Sequence, residues 1–407
     1  FSLATGYQSV ATEQYSTAMG RSTISDGNSS TAMGYDTTAS GAYSTAMGYN
    51  TEASSQSSFA SGESTTASGE ISTAMGYDTT ASGNYSTAMG NETTASGLLS
   101  VAMGYTSTAS GDYSTAMGYQ SIASGNYSTA TGRSTFADAP SATAMGYDTT
   151  ASGDYSTAMG NGATASATSS TAMGEDSTAS GAYSLASGYN TTASNSATVA
   201  LGNSTSASGH TAIAIGYGTT ASGGYTTAMG YDTEAIGTSS TAMGEETTAN
   251  GEYSTAMGYN TTASGDASTV MGEETTASDY GSLVIGQYND SGSSVTNNAT
   301  QFNTANTAFV IGNGTASNAK SDAFKVMFNG DTTVSNDLTV SGDVNISSDV
   351  RLKSNIASLG ATLSKLLQID GKSYEMKGKQ KIGVLAQEIQ EVFPELVSED
   401  DNEMLAV

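Results

Sequence analysis

From Ala4 to Val284 a small residue recurs at every seventh position. Of these 41 anchors 38 are Ala, and Ser25, Val270 and Val284 fill the rest. Seven is the period of a coiled coil, but a heptad needs two apolar positions and strong helix formers. Here Gly follows two residues after the anchor at 35 of the 41, and each Gly costs a helix about 1 kcal/mol. The stretches STAMG at 72–76 and TTASG at 79–83 read instead as short strands, each ending at a Gly turn.

Splitting the anchors into two alternating sets doubles the period. In one set the residue after the anchor is apolar at 17 of 21 positions: Met19, Met33, Met47, Met75, Met89, Met103, Met117, Met145, Met159, Met173, Met229, Met243, Met257 and Met271, with Leu201, Ile215 and Ile285. In the other set it is Ser40, Ser82, Ser110, Ser152 and their kin. The repeat is therefore 14 residues, one strand of each kind. Strand alternation assigns the faces. Ser72 and Ala74 share one side, Thr73 and Met75 the other; Thr79 and Ala81 share one side, Thr80 and Ser82 the other. With both Ala columns inside, the coil is a narrow β-solenoid with a small-residue lumen, and the Met column forms an outward apolar stripe. A stripe that long calls for a partner, and symmetric self-association is the simplest one. Gly is present in the Met set at all 21 positions. The six exceptions (Glu13, Ser55, Ala139, Ala167, Asn195 and Asp279) fall in the Ser set, where an exposed turn is expected to have room.

Composition agrees with a thin repetitive architecture. Of 407 residues 48 are Gly, 12% are charged, and Cys and Trp are absent, which excludes disulfides and thiolate metal sites. Net charge is −27, and residues 1–319 hold only Arg21 and Arg133 as basic side chains. Such an acidic body argues against nucleic acid or an anionic membrane as partner. No run of 18 apolar residues offers a membrane span. The start at Phe1 suggests a fragment or a processed product.

The metre breaks at Gln287–Ala308, resumes for one unit at Phe309–Gly312, and gives way to alternating strands around the turns Asn329-Gly330 and Ser341-Gly342. At Ser348 a Lys-bearing segment begins that reads as helix, strand, helix. Leu359, Leu363, Leu366 and Leu367 recur at helical spacing, and Gly383–Phe393 is a second amphipathic stretch stopped by Pro394. The expected organisation is a β-roll over 1–286, a connector and β-rich stem over 287–347, and a C-terminal domain over 348–407.

Two resemblances refine this reading. The S-x-A-x-G units at 14-residue spacing over 1–286 resemble the YadA-like head repeats of trimeric autotransporter adhesins. That resemblance implies a left-handed parallel β-roll, three chains side by side, and apolar sheets facing a three-fold axis. About 20 coils at ~4.8 Å each then give a rod of roughly 95–100 Å. The stretches SDVRLKSNI and GVLAQEIQEVFPELV resemble the endosialidase-type intramolecular chaperone, an auto-processing peptidase at the C-terminus of phage tailspikes and fibres, which continues beyond Val407. It implies trimerisation, assisted folding and self-release: Ser348 as nucleophile, Lys353 as general base, Asp349 just after the scissile bond. A serine hydroxyl needs such a base, and the Lys needs a lowered pKa, from burial or a neighbouring cation such as Arg351.

Other candidates have bland readings. The outward pairs Thr80/Ser82, Thr94/Ser96 and Thr108/Ser110 could order ice-like water or hold a glycan, but Glu52, Phe136 and Glu234 interrupt the ladder, and a solvated face is expected. Asp36, Asp78, Asp148, Asp176 and Asp232, with Glu92, Glu246 and Glu274, share one turn position where Ca²⁺ could bind; solvated turns are expected, since Asn50 and Thr106 dilute the column. Tyr35, Tyr77, Tyr105 and Tyr147 are read as rim packing. His210 is the only histidine, which leaves no zinc cluster. No cofactor and no metal are expected. The chain reads as a homotrimeric fibre that meets a host or cell-surface glycan or protein receptor, located on a virion or extracellularly. A chaperone where a membrane-anchor barrel would stand favours a phage tail fibre over a bacterial surface adhesin. No paired carboxylates support a glycan-degrading enzyme.

Overall fold

A computed structural model describes residues 1–290, 299–341, 349–358, 360, 362–376, 379–399 and 405–406. They form two compact units, Phe1–Asp337 and Leu338–Val407.

The first unit is a parallel β-solenoid of 14-residue coils. Each coil holds one five-residue and one two-residue strand, as in Thr73–Tyr77 and Thr80–Ala81. The long strands pair in parallel with those of the next coil: Thr73 lies opposite Thr87, Ala74 opposite Ala88, Met75 opposite Met89 and Gly76 opposite Gly90. The short strands repeat the arrangement, Thr80 to Thr94 and Ala81 to Ala95. Equivalent residues therefore stack in columns, and every strand hands its free N–H and C=O groups to its neighbour. From Ala18 on the Ala columns are buried, as are Ser72 and Thr79. Two Ala, one Ser and one Thr fill the typical cross-section, as at Ser72, Ala74, Thr79 and Ala81, which is why the chain is so poor in large side chains. Some lumen serines find an acceptor: the Ser30 and Ser254 hydroxyls donate to the carbonyls three residues back, Gly27 and Gly251, both at 2.7 Å.

The asymmetry of the glycines is real, but its expected reason is not. Gly69 and Gly83, of the Ser set, are buried rather than roomy, and a Cβ on either would strike the carbonyl of the coil above, as at Gly76. What differs is conformation. Gly76 has φ +129°, a region L side chains avoid, whereas Gly69 is outside it. A Ser-set turn accepts a side chain by rewiring. Where Gly69 N–H donates to Ala81 carbonyl (3.2 Å), Ser55 N–H turns to the Ser58 hydroxyl (3.3 Å) and Ala167 N–H to Ser170 (3.2 Å).

The coil stack ends deliberately. Thr307–Asn313 adds in parallel to Leu283–Gln287. Asp322–Met327 then pairs antiparallel with it, and Thr332–Val334 antiparallel with Asp322–Met327 through the expected Asn329-Gly330 turn. Ser341 closes the described part of this stretch; Gly342, its turn partner, lies outside the described residues. The buried Asp279 takes a turn-glycine position, and its Oδ2 accepts from Thr307 N–H at 2.7 Å.

In the second unit the expected helix–strand–helix becomes helix, hairpin, helix: Leu363–Leu366, the antiparallel pair Lys372–Met376 and Lys379–Gly383, then Ala386–Val392. The second helix starts three residues later than its amphipathic pattern suggests, because Gly383 is claimed by strand pairing with Lys372 and Leu385 is extended. It stops at Val392, and Pro394 opens a 3-10 turn. Leu359 lies outside the described residues. Leu363, Leu366 and Leu367 stand exposed rather than packed, Leu367 by 78%. Lys372 ties the hairpin to the helix, its Nζ 2.8 Å from Asp370 and 3.1 Å from Glu388.

Candidate functional site

The outward face of the long-strand sheet carries the Met column. Met75, Met89, Met103 and Met117 lie directly above one another in parallel register. Ser61, Thr131 and Ser187 interrupt the series. All fourteen methionines fall in five-residue strands and point away from the Ala lumen. They are half-buried by their own chain at best, and Met19 is 37% exposed. Burying such side chains fully is worth about 1.5–3 kcal/mol each, so a second surface laid on this sheet gains on every coil.

The turn columns have a conformational explanation. Asp36, Asp78, Asp148, Asp176 and Asp232 all have φ between 50° and 56°, as does Asn50, and the equivalent Gly162 and Gly218 lie at 67° and 66°. This left-handed position favours Asp, Asn and Gly, so the acidic column marks turn geometry. Among the described residues no three carboxylate, histidine or cysteine side chains converge as a metal site would need. At the opposite turn Tyr43, Tyr85 and Tyr113 occupy the same conformation.

The tyrosines after the Met-set glycines form an exposed ladder. Tyr35 stacks on Tyr49 and Tyr105 on Tyr119, ring centroids 5.1 Å apart in each pair. Their faces are spent on one another, which suits rim packing. Near the end of the stack Tyr259 stands among Glu246, Glu245, Glu274 and Glu273, whose charges raise its pKa. Tyr288 donates to Glu273 Oε1 at 3.0 Å, and that bond raises its pKa too.

Of the proposed cleavage residues, Ser348 lies outside the described residues. Asp349 caps the turn Val350–Leu352, accepting the Arg351 N–H at 2.8 Å. The Arg351 guanidinium grips the same carboxylate through Nε at 3.0 Å and Nη2 at 2.7 Å. These bonds hold the Asp349 carboxyl below its ordinary range and push Arg351 up. Arg351 is thereby committed to Asp349. Lys353 follows the turn, its backbone N–H donating to the Val350 carbonyl at 3.1 Å, and the residue is exposed.

Two families match this chain. The YadA head domain repeat matches eleven times, at 1–23, 25–51, 67–93, 95–121, 109–135, 137–163, 165–191, 179–205, 207–233, 235–261 and 263–289. From the second match on, all starts differ by multiples of 14, so the family's phase is that of the coil. The chain belongs to the YadA head domain repeat family. Residues 348–398 match the chaperone of endosialidase. No curated protein matches the chain.

Proposed function

We propose that the chain is a subunit of a homotrimeric attachment fibre whose Met-bearing sheets face one another about the three-fold axis. The single observation that carries this reading is the in-register Met column on an otherwise polar solenoid. The chaperone match supports assembly as that domain's task. Its exposed Leu363, Leu367 and Ile382, the last 86% exposed, offer apolar surface to sister copies. In this reading Ser348 is the nucleophile and Lys353 the general base of a single self-cut before Asp349, which releases the chaperone once the trimer has formed.

Head repeats joined to a chaperone of endosialidase favour a phage tail fibre that touches a host surface. A bacterial surface adhesin is the second reading, favoured by the head repeats themselves. Among the described residues no helix is long and apolar enough to cross a membrane. Labelled protein incubated with bacterial cells tests attachment: saturable binding supports it, and binding no greater than that of an unrelated acidic protein removes it.

A further inference from the structure

Four departures from the repeat occur together, and the whole set occurs twice. Within the coils of 4–286, the left-handed turn after the long strand carries Gln only at Gln8 and Gln120. The outward position of the short strand is apolar only at Val10, Ile24, Ile122 and Phe136. Arg follows a Met-set glycine only at Arg21 and Arg133, and Asp follows a short strand only at Asp26 and Asp138. Each member recurs 112 residues on, eight coils of 14.

Parallel pairing gathers the members. Val10 lies opposite Ile24, and Ile122 opposite Phe136. Arg21 sits between Tyr7 and Tyr35, 5.7 and 5.2 Å from their ring centroids. Arg133 sits between Tyr119 and Tyr147, 5.4 and 5.2 Å away. Around Ile122 and Phe136 lies a surface cleft of about 320 Å³, walled by Thr106, Thr108, Gln120 and Ser134. The wall is uncharged: Thr106, Gln120 and Ser134 fill three successive coils of the column that holds Asp78 and Glu92 before them and Asp148 after. Asp138, two residues beyond Phe136 on the same face, accepts from the Ser124 hydroxyl at 2.9 Å.

We propose that each of these two cassettes binds one neutral pyranose ring of a surface glycan. The floor is two apolar side chains wide, enough for the C–H face of one sugar ring. The amide, hydroxyl and carboxylate groups around it supply the donors and acceptors that sugar hydroxyls need. A net charge of −27 disfavours acidic sugars. A protein partner would need about 800 Å² of its own surface buried, more than two side chains can seat. The apolar floors lie on the short-strand sheet, opposite the methionines, so association through the Met face leaves them open. Eight coils put them about 38 Å apart, a spacing at which one rod binds bivalently.

This inference deepens the attachment reading and rests on it. The test uses the full chain on immobilised neutral oligosaccharides of glucose, galactose, mannose and N-acetylhexosamines, with sialylated glycans as the anionic comparison. Ile122→Thr with Phe136→Thr, and the fourfold variant that adds Val10→Thr and Ile24→Thr, install the residue that Thr38, Thr108 and Thr150 already supply in neighbouring coils, so the fold is kept. The unaltered chain should bind a neutral glycan, the double variant at least tenfold more weakly, and the fourfold variant not at all. Binding to no neutral glycan, or to sialylated ones alone, overturns the proposal. Equal binding by the fourfold variant overturns the cassettes while leaving attachment itself standing.

Discussion

The side chain of Asn289 stands in for a strand that Thr276 lacks. Its Oδ1 accepts from the Thr276 N–H at 2.7 Å, and its Nδ2 donates to the Thr276 carbonyl at 3.0 Å. One coil earlier the equivalent Thr262 N–H takes the backbone carbonyl of Thr275 at 2.9 Å. Asn289 occupies the same place in the repeat as Thr275 and offers an amide group of the same shape, turning the last coil of the short sheet into a closed edge.

Asn289→Ala should therefore leave a half-buried N–H and carbonyl without their partner, at about 1 kcal/mol. Amide exchange at Thr276 reads this directly. It should quicken in the variant while exchange at Thr80, far along the stack, is unchanged. Unchanged protection at Thr276 would mean that Asn289 caps nothing.

The two kinds of glycine should separate cleanly. Gly76→Ala forces a side chain into φ +129° and against the Gly90 carbonyl, a backbone cost of about 1–3 kcal/mol before the clash is counted. Gly69→Ala needs only the rewiring already seen at Ser55 and Ala167, and should cost clearly less. Thermal unfolding of the two variants measures the order, and equal losses would refute the conformational explanation.

Thr79 places a hydroxyl in the lumen with no hydrogen-bond partner. Thr79→Val keeps the shape and removes the stranded group, so it should be neutral or stabilising by up to ~1 kcal/mol. A fall in the unfolding midpoint would show that the lumen uses that hydroxyl.

Much of this architecture is legible in the sequence because each coil repeats the same solution. The 14-residue period, the buried Ala columns and the outward Met follow from alternation alone. What alternation cannot reveal is backbone conformation. The left-handed turn that recruits Asp and Asn to the acidic column shows only in its φ values near 50°, and the Gly asymmetry was visible before its cause was. Gly383 misleads because a helical apolar pattern and a hairpin strand compete for the same residues, and the pairing with Lys372 prevails. Asn289 is one Asn among many in a polar stretch, and only the position of Thr276 gives it a task. The paired cassettes emerge once the coils are laid in register, where Gln120, Arg133, Phe136 and Asp138 each stand out against their columns.

The Asp349 carboxyl should titrate below the ordinary value of about 3.9, because Arg351 bonds to its charged form. A carboxyl with a lowered pKa contributes fully above its ordinary pKa, and the contribution is lost as pH falls through the lowered one. The cap on Val350–Leu352 should thus persist through neutral and mildly acidic solution. Side-chain carboxyl NMR follows the titration, and Arg351→Ala should raise the midpoint. No upward movement in that variant would contradict the pairing.

If Ser348 and Lys353 act as proposed, Ser348→Ala and Lys353→Ala should each leave one full-length band where the unaltered chain yields two fragments on a denaturing gel. Intact mass of the larger fragment should end at Ser348. Cleavage that survives both substitutions would remove these residues from the reaction.

The claim on which the rest depends is that the Met-bearing sheet is an interface. Light scattering on the purified full chain, with chain lengths read from a denaturing gel, tests it most directly. The account predicts a particle of three chain masses that falls to one when Met75, Met89, Met103 and Met117 are all replaced by Glu. A single chain mass for the unaltered protein at micromolar concentration would contradict it.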